Sequence, residues 1–199
     1  MDDEFLTVDG TVEAEAKVQS SRFIARVLPV ETKQAVDHAL ASIRKEFHGA
    51  THHCYAYRLG PNGDQFRCND DGEPSGTAGK PILAAIDEAR LTNILVVVIR
   101  YFGGTKLGTG GLVRAYAEVV QMALGRARIV TRYDVECFTV IFPHDMTGRV
   151  MHAVSRFTAH IDETQYDDEV QLSLRVRRSK ALELKQELMT ATSGNVRLE

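Results

Sequence analysis

Residues 11–18 alternate apolar and polar, with Val12, Ala14, Ala16 and Val18 on one face, and residues 22–28 alternate again around Phe23, Ala25 and Val27. Period-two alternation on both sides of Ser20-Ser21 predicts a β-hairpin. The spacing then turns helical: Val36, Leu40, Ile43 and Phe47 share one stripe, Thr32 can cap the start and Gly49 can end it, so a helix is predicted over 32–47. Residues 51–59 read as a strand, and Pro61-Asn62-Gly63 predicts a turn into a short strand near Gln65–Cys68. A polar, Gly- and Pro-containing loop over 69–80 leads into a helix over 79–89, with Ile82, Leu83 and Ile86 inward. Pro81 fits only in the first helical turn, where its missing N–H costs nothing. Residues 94–101 form a continuous β-branched run, which predicts a strand buried on both faces. A second glycine-rich loop, Gly103–Gly111, then delivers the chain to a helix over 112–126.

After Arg128 the pattern starts over. A strand over 133–142, a helix over 143–157, a hairpin of 158–166 and 169–177 turning at Asp167-Asp168, a helix over 179–190 and a strand at 196–198 are predicted. That β-α-β-β-α-β order is the ferredoxin-like split unit. The expected division is therefore a domain over 1–129 and a second over 130–199, in an α+β chain.

Composition adds mostly exclusions. The net charge is −3 and the pI about 6.2, and residues 132–199 hold 9 Lys+Arg against 11 Asp+Glu, leaving 15 against 16 for the rest. Neither half is basic, so any nucleic-acid surface must be local. The three cysteines, Cys54, Cys68 and Cys137, contain no C-x-x-C pair and predict reduced, mostly buried thiols. The acidic start Met1-Asp2-Asp3-Glu4 is unlike a signal peptide, and the run Ile94–Ile99 is too short to span a bilayer. A cytoplasmic protein is expected, with no membrane contact.

Four clusters bear chemistry. Asp70-Asp71-Gly72-Glu73-Pro74 offers three carboxylates for a basic partner or a hard cation, but it lacks the calcium-loop pattern. Gly72–Lys80 fails the phosphate-loop pattern at Pro74 and Pro81, though small residues feeding a helix can present N–H groups to an anion. The third cluster is Arg100-Tyr101-Phe102-Gly103-Gly104-Thr105-Lys106-Leu107-Gly108-Thr109-Gly110-Gly111. Its glycine density implies positive φ or close backbone approach, with Lys106, Thr105 and Thr109 available to a phosphate or carboxylate. It lacks the G-x-G-x-x-G spacing of a dinucleotide site. In the fourth, His52-His53-Cys54, neighbouring strand residues face opposite sides, so only one histidine can join any site. No complete catalytic set emerges: Ser75 lacks the nucleophile-elbow frame, and His144, His152 and His160 cross element boundaries.

These same segments, with Ser21-Arg22-Phe23-Ile24 and Leu107–Val113, resemble the YigZ/IMPACT family over roughly residues 15–125. The resemblance implies an N-terminal domain with the fold of ribosomal protein S5 domain 2 and a ferredoxin-like C-terminal domain similar to the late domains of elongation factor G. Eukaryotic relatives bind a ribosome-associated activator of a translation-control kinase and carry a further domain. The reading that follows is a non-enzymatic binding protein for RNA, the ribosome or a translation-associated protein, with no cofactor and no metal. Lys80, Arg100, Gly103, Gly104, Thr105, Lys106, Gly108, Thr109, Gly110, Gly111 and Arg114 are its phosphate-facing candidates, and His53, Asp70, Asp71 and Glu73 its partner contacts. The alternative is a protein or enzyme that holds a small phosphorylated ligand or nucleotide on Gly103–Gly111.

Overall fold

The computed structural model describes residues 3–199. Its chain divides into two units, one of residues 5–132 and one of residues 3–4 with 133–199. In the first, the alternating segments form β2 (Val12–Val18) and β3 (Ser21–Pro29), and Thr32 caps α1 (Lys33–Glu46) by accepting from the Ala35 N–H. Next come β4 (His52–Leu59), β5 (Gln65–Asn69), α2 (Gly79–Glu88), β6 (Ile94–Tyr101) and α3 (Gly108–Arg126). The strands make one sheet in the order β2-β3-β6-β4-β5, and every pairing is antiparallel.

The central strand decides which residues share a face. Ile94, Val96 and Val98 pack with α2 and α3, while Leu95, Val97 and Ile99 pack with α1. Both faces of β6 are covered, so a continuous apolar run is the sequence such a strand requires. Arg100 continues the Val96–Val98 row and is therefore placed on the α2/α3 side. Register sets Phe23 and His52 directly opposite it on either flank.

Two strands escaped the hydrophobic pattern: β1 (Glu4–Val8) and β7 (Ile129–Tyr133) pair in a separate two-stranded ribbon. β7 is mostly exposed, so it carries no buried alternation to betray it. The helix α3 also starts earlier than the predicted Leu112, since Gly108–Gly111 form its first turn.

The second unit comprises β8 (Val135–Phe142), a 3-10 turn at His144–Met146, α4 (Thr147–Arg156), β9 (His160–Tyr166), β10 (Val170–Arg177), α5 (Arg178–Ala191) and β11 (Arg197–Leu198). Its antiparallel sheet runs β11-β8-β10-β9 around a core that includes Phe138, Phe142, Val150, Leu172, Leu174 and Leu184. The three thiols are free, but burial is as expected only for Cys54; Cys68 is half-buried and Cys137 exposed.

Gly103 is required by proximity rather than by turn conformation. A Cβ there would lie 1.8 Å from the Ser20 carbonyl oxygen at the β2–β3 turn. Backbone cannot yield as a flexible side chain can, so Gly103→Ala is expected to cost roughly 1–3 kcal/mol. Gly125→Ala, which meets nothing within 4 Å, serves as the control and should be neutral or slightly stabilising. Denaturant midpoints for the two variants measure the difference.

Candidate functional site

The chemistry gathers where β3, β4 and β6 run out beneath α3. Arg100 is 4% exposed and donates through Nη1 to Glu73 Oε1 at 2.5 Å and through Nη2 to Ser21 Oγ at 3.2 Å. Its guanidinium lies 5.2 Å from the Phe23 ring centre and 5.4 Å from that of Phe102. Glu73 Oε1 also accepts from the Tyr116 hydroxyl at 2.8 Å, and Tyr116 meets Phe23 edge to face at 5.3 Å. One buried side-chain nitrogen or oxygen among the described residues has no partner, and it is Arg100 Nε.

The acidic turn folds to deliver Glu73 to this place. Asp70 accepts three backbone N–H groups, from Gly76 at 2.9 Å, Ala78 at 3.0 Å and Gly79 at 2.8 Å. Burial pushes its pKa up, and the three donors together outweigh burial and hold it below the ordinary value. Asp71 accepts from Arg44 Nη2 at 2.6 Å and from the His53 N–H at 2.7 Å, again a lowered pKa with burial opposing. Gly79 closes the fit, for a Cβ there would lie 2.7 Å from the Asn69 backbone nitrogen. The three carboxylates thus serve three different sets of partners and do not converge on one point.

Above the ion pair opens a cavity of about 420 Å³. Its walls are mainly apolar, from Pro74, Phe102, Leu107 and Leu112, and its polar lining comes from His52, Glu73, Arg100, Lys106 and Thr109 among others. His52 Nδ1 meets the Asp71 carbonyl oxygen at 2.9 Å, which leaves Nε2 facing the cavity 3.8 Å from Glu73 Oε1. At the rim, α3 begins at Gly108 with no side-chain cap, so its first-turn N–H groups stay free of side-chain acceptors.

Several expected roles change here. His53 is 6% exposed, faces α1 and bonds the Phe47 carbonyl oxygen through Nε2, so His52 is the histidine at the cavity. Asp70, Asp71 and Glu73 each hold internal partners, Asp70 and Asp71 half-buried and Glu73 buried, and Arg100 is ion-paired in the interior. Of the anion candidates, Arg100, Lys106, Gly108 and Thr109 line the cavity. Lys80 and Arg114 are exposed outside it, as are Gly103, Gly104 and Thr105 in the loop before α3, while Gly110 and Gly111 are helical. Gly104 and Gly108 have positive φ, +89° and +70°, as the glycine density implied.

Nucleophilic chemistry is poorly served. Burial pushes the Cys54 thiol up to about 12, and Sγ lies 2.9 Å from the Asp70 carbonyl oxygen and 3.2 Å from the Tyr116 hydroxyl. A thiol that stays protonated is no nucleophile. Burial likewise raises the Tyr116 phenol. Donors and acceptors in an apolar cleft suit binding.

The molecule is thus an α+β protein of two units, with a cavity in the first lined in large part by its acidic and glycine-rich loops. It belongs to the IMPACT family. The Impact N-terminal domain matches residues 19–124, and a domain of unknown function, DUF1949, matches residues 140–195. IMPACT family member YvyE of Bacillus subtilis is 33% identical over 190 residues, covering 96% of this chain and 88% of that protein. YigZ of Escherichia coli is 34% identical over 189 residues, 92% of this chain and 90% of its own. Protein IMPACT of Mus musculus is 38% identical over 93 residues, which are 44% of this chain and 29% of that protein. A crystal structure of a hypothetical protein aligns over 100% of this chain and 97% of its own, with TM-score 0.74 and 30% identity.

Two outcomes follow from the charge network. Removing one partner of a buried ion pair strands the other, so Glu73→Gln should destabilise by about 3 kcal/mol. Glu73→Gln combined with Arg100→Met should recover part of that, giving a coupling term in a double-mutant cycle. Asp70 and Asp71 have folded-state pKa values below their ordinary 3.8. Their contribution is therefore complete above pH 3.8 and is lost as pH falls further. Asp70→Asn should cost about 2 kcal/mol at neutral pH and flatten the acid limb of a stability-versus-pH curve.

Proposed function

We propose that this chain is a non-enzymatic, cytoplasmic binding module of the translation apparatus, contacting RNA of the ribosome through the cavity-bearing face of its first unit. The observation that carries the reading is convergence. Residues scattered from Thr51 to Leu112 meet at one open cleft with an exposed aromatic, a lysine and an uncapped helix start, and no activated nucleophile accompanies them. Phe102 is 44% exposed, which suits base stacking. Lys80, Lys106 and Arg114 are exposed cations in the same stretch of chain, suited to phosphates although the net charge is −3.

The domain folds support the same reading. We assign residues 1–129 to the ribosomal protein S5 domain 2-like class and 130–199 to the ferredoxin-like class of the late domains of elongation factor G. The β-α-β-β-α-β order and the β11-β8-β10-β9 sheet agree with the second assignment. Shared fold is analogy, so the test is direct. The protein should pellet with ribosomes at low salt and crosslink to RNA, and Lys106→Gln should reduce the slope of log affinity against log salt by about one unit. No pelleting and no RNA crosslink would overturn the proposal.

A further inference from the structure

We infer that the cavity is a nucleotide site: it takes one heterocyclic base against its floor and holds the attached phosphate at its rim. The inference deepens the binding reading and depends on it only where the nucleotide belongs to an RNA end. The polarity of the cleft sets the orientation. At the floor, Glu73 already neutralises Arg100, and a second anion there would face the Glu73 carboxylate. What the floor lacks is a neutral partner that both donates and accepts. Arg100 Nε is a buried donor with no acceptor. The bonds of Glu73 fall on Oε1, leaving Oε2 to accept, and His52 Nε2 lies 3.8 Å from that carboxylate, beyond hydrogen-bond distance. A base edge offers donors and acceptors side by side.

The rim has the opposite character. Lys106 and the uncapped first turn of α3, a helix of 19 residues, stand at Gly108 and Thr109 on the same cleft. The dipole and the free N–H groups favour a phosphate. Between floor and rim, Phe102, Leu107, Leu112 and Pro74 form apolar walls for a planar ring, and about 420 Å³ lies within the range of small-molecule sites. The Phe102 ring centre lies 5.4 Å from the Arg100 guanidinium, so this aromatic borders both the wall and the floor of the cleft.

Thermal shift and calorimetry on the full chain, with each common ribonucleoside 5′-monophosphate, its nucleoside and inorganic phosphate, test the inference. At least one monophosphate should bind saturably and at least about tenfold tighter than its nucleoside, and inorganic phosphate should not saturate. Lys106→Gln and Thr109→Asp should weaken the monophosphate and leave the nucleoside unchanged, while Phe102→Ala should weaken both. These residues are exposed, so loss of folding does not confuse the result. No shift from any monophosphate, or binding that ignores Phe102→Ala, overturns it. Short single-stranded RNAs with a 5′-phosphate or a 5′-hydroxyl separate the sources. Preference for the phosphate, competed by the free monophosphate, places an RNA end in the cavity. Equal binding of both RNAs without that competition leaves the RNA reading standing and removes the cavity from it. Monophosphate binding with no RNA binding keeps the nucleotide site and removes the RNA reading.

Discussion

The Glu73–Arg100 ion pair organises the first unit. Both side chains are almost wholly withdrawn from water, and charges in that position must be met from several sides or they cost several kcal/mol each. Ser21 and the Phe23 ring, both on β3, and Tyr116 on α3 supply those sides. The pair therefore ties the end of the sheet to a loop and to a helix that share no local sequence. Glu73 can stand there only because Asp70 and Asp71 fold their turn around backbone N–H groups and Arg44. The acidic cluster thus serves as a scaffold for one buried carboxylate.

The glycine-rich segment answers a related constraint. Gly103 passes so near Ser20 that no side chain fits, and Ser21 Oγ accepts from both the Gly103 N–H and Arg100. The loop is pinned to the same centre as the ion pair. Beyond it, a first helical turn with little side-chain cover sits beside the cavity. Packing and the lining of the cavity therefore use one set of residues, and the Ser21-Arg22-Phe23-Ile24, Asp70–Pro81 and Arg100–Gly111 segments that looked separate in the chain are neighbours in space.

Much of the secondary structure was legible because each signal was local. Thr32 and the Val36-Leu40-Ile43 stripe set α1, alternation set β2 and β3, and the unbroken run at 94–99 announced the central strand. β1 and β7 were illegible because their pairing is between the two ends of the unit and β7 buries little. The start of α3 was misplaced because glycine density argues for loop, whereas tertiary packing through Leu112 and Tyr116 overrides that weak preference.

The candidate site divides the same way. The sequence by itself determined the family, the two α+β units, the glycine-rich and acidic segments and the mismatch to the phosphate-loop, calcium-loop, dinucleotide and nucleophile-elbow patterns, since these follow from residue order and spacing. It also established that only one of His52 and His53 can reach a site, because strand parity is local. Which one does so was decided by tertiary structure: the register of β4 on β6 puts His52 beside Arg100 and turns His53 toward α1. The same holds for Arg100 and Glu73, whose charges read as surface groups in the chain. Burial and pairing are properties of contacts between distant segments, and no local pattern carries them.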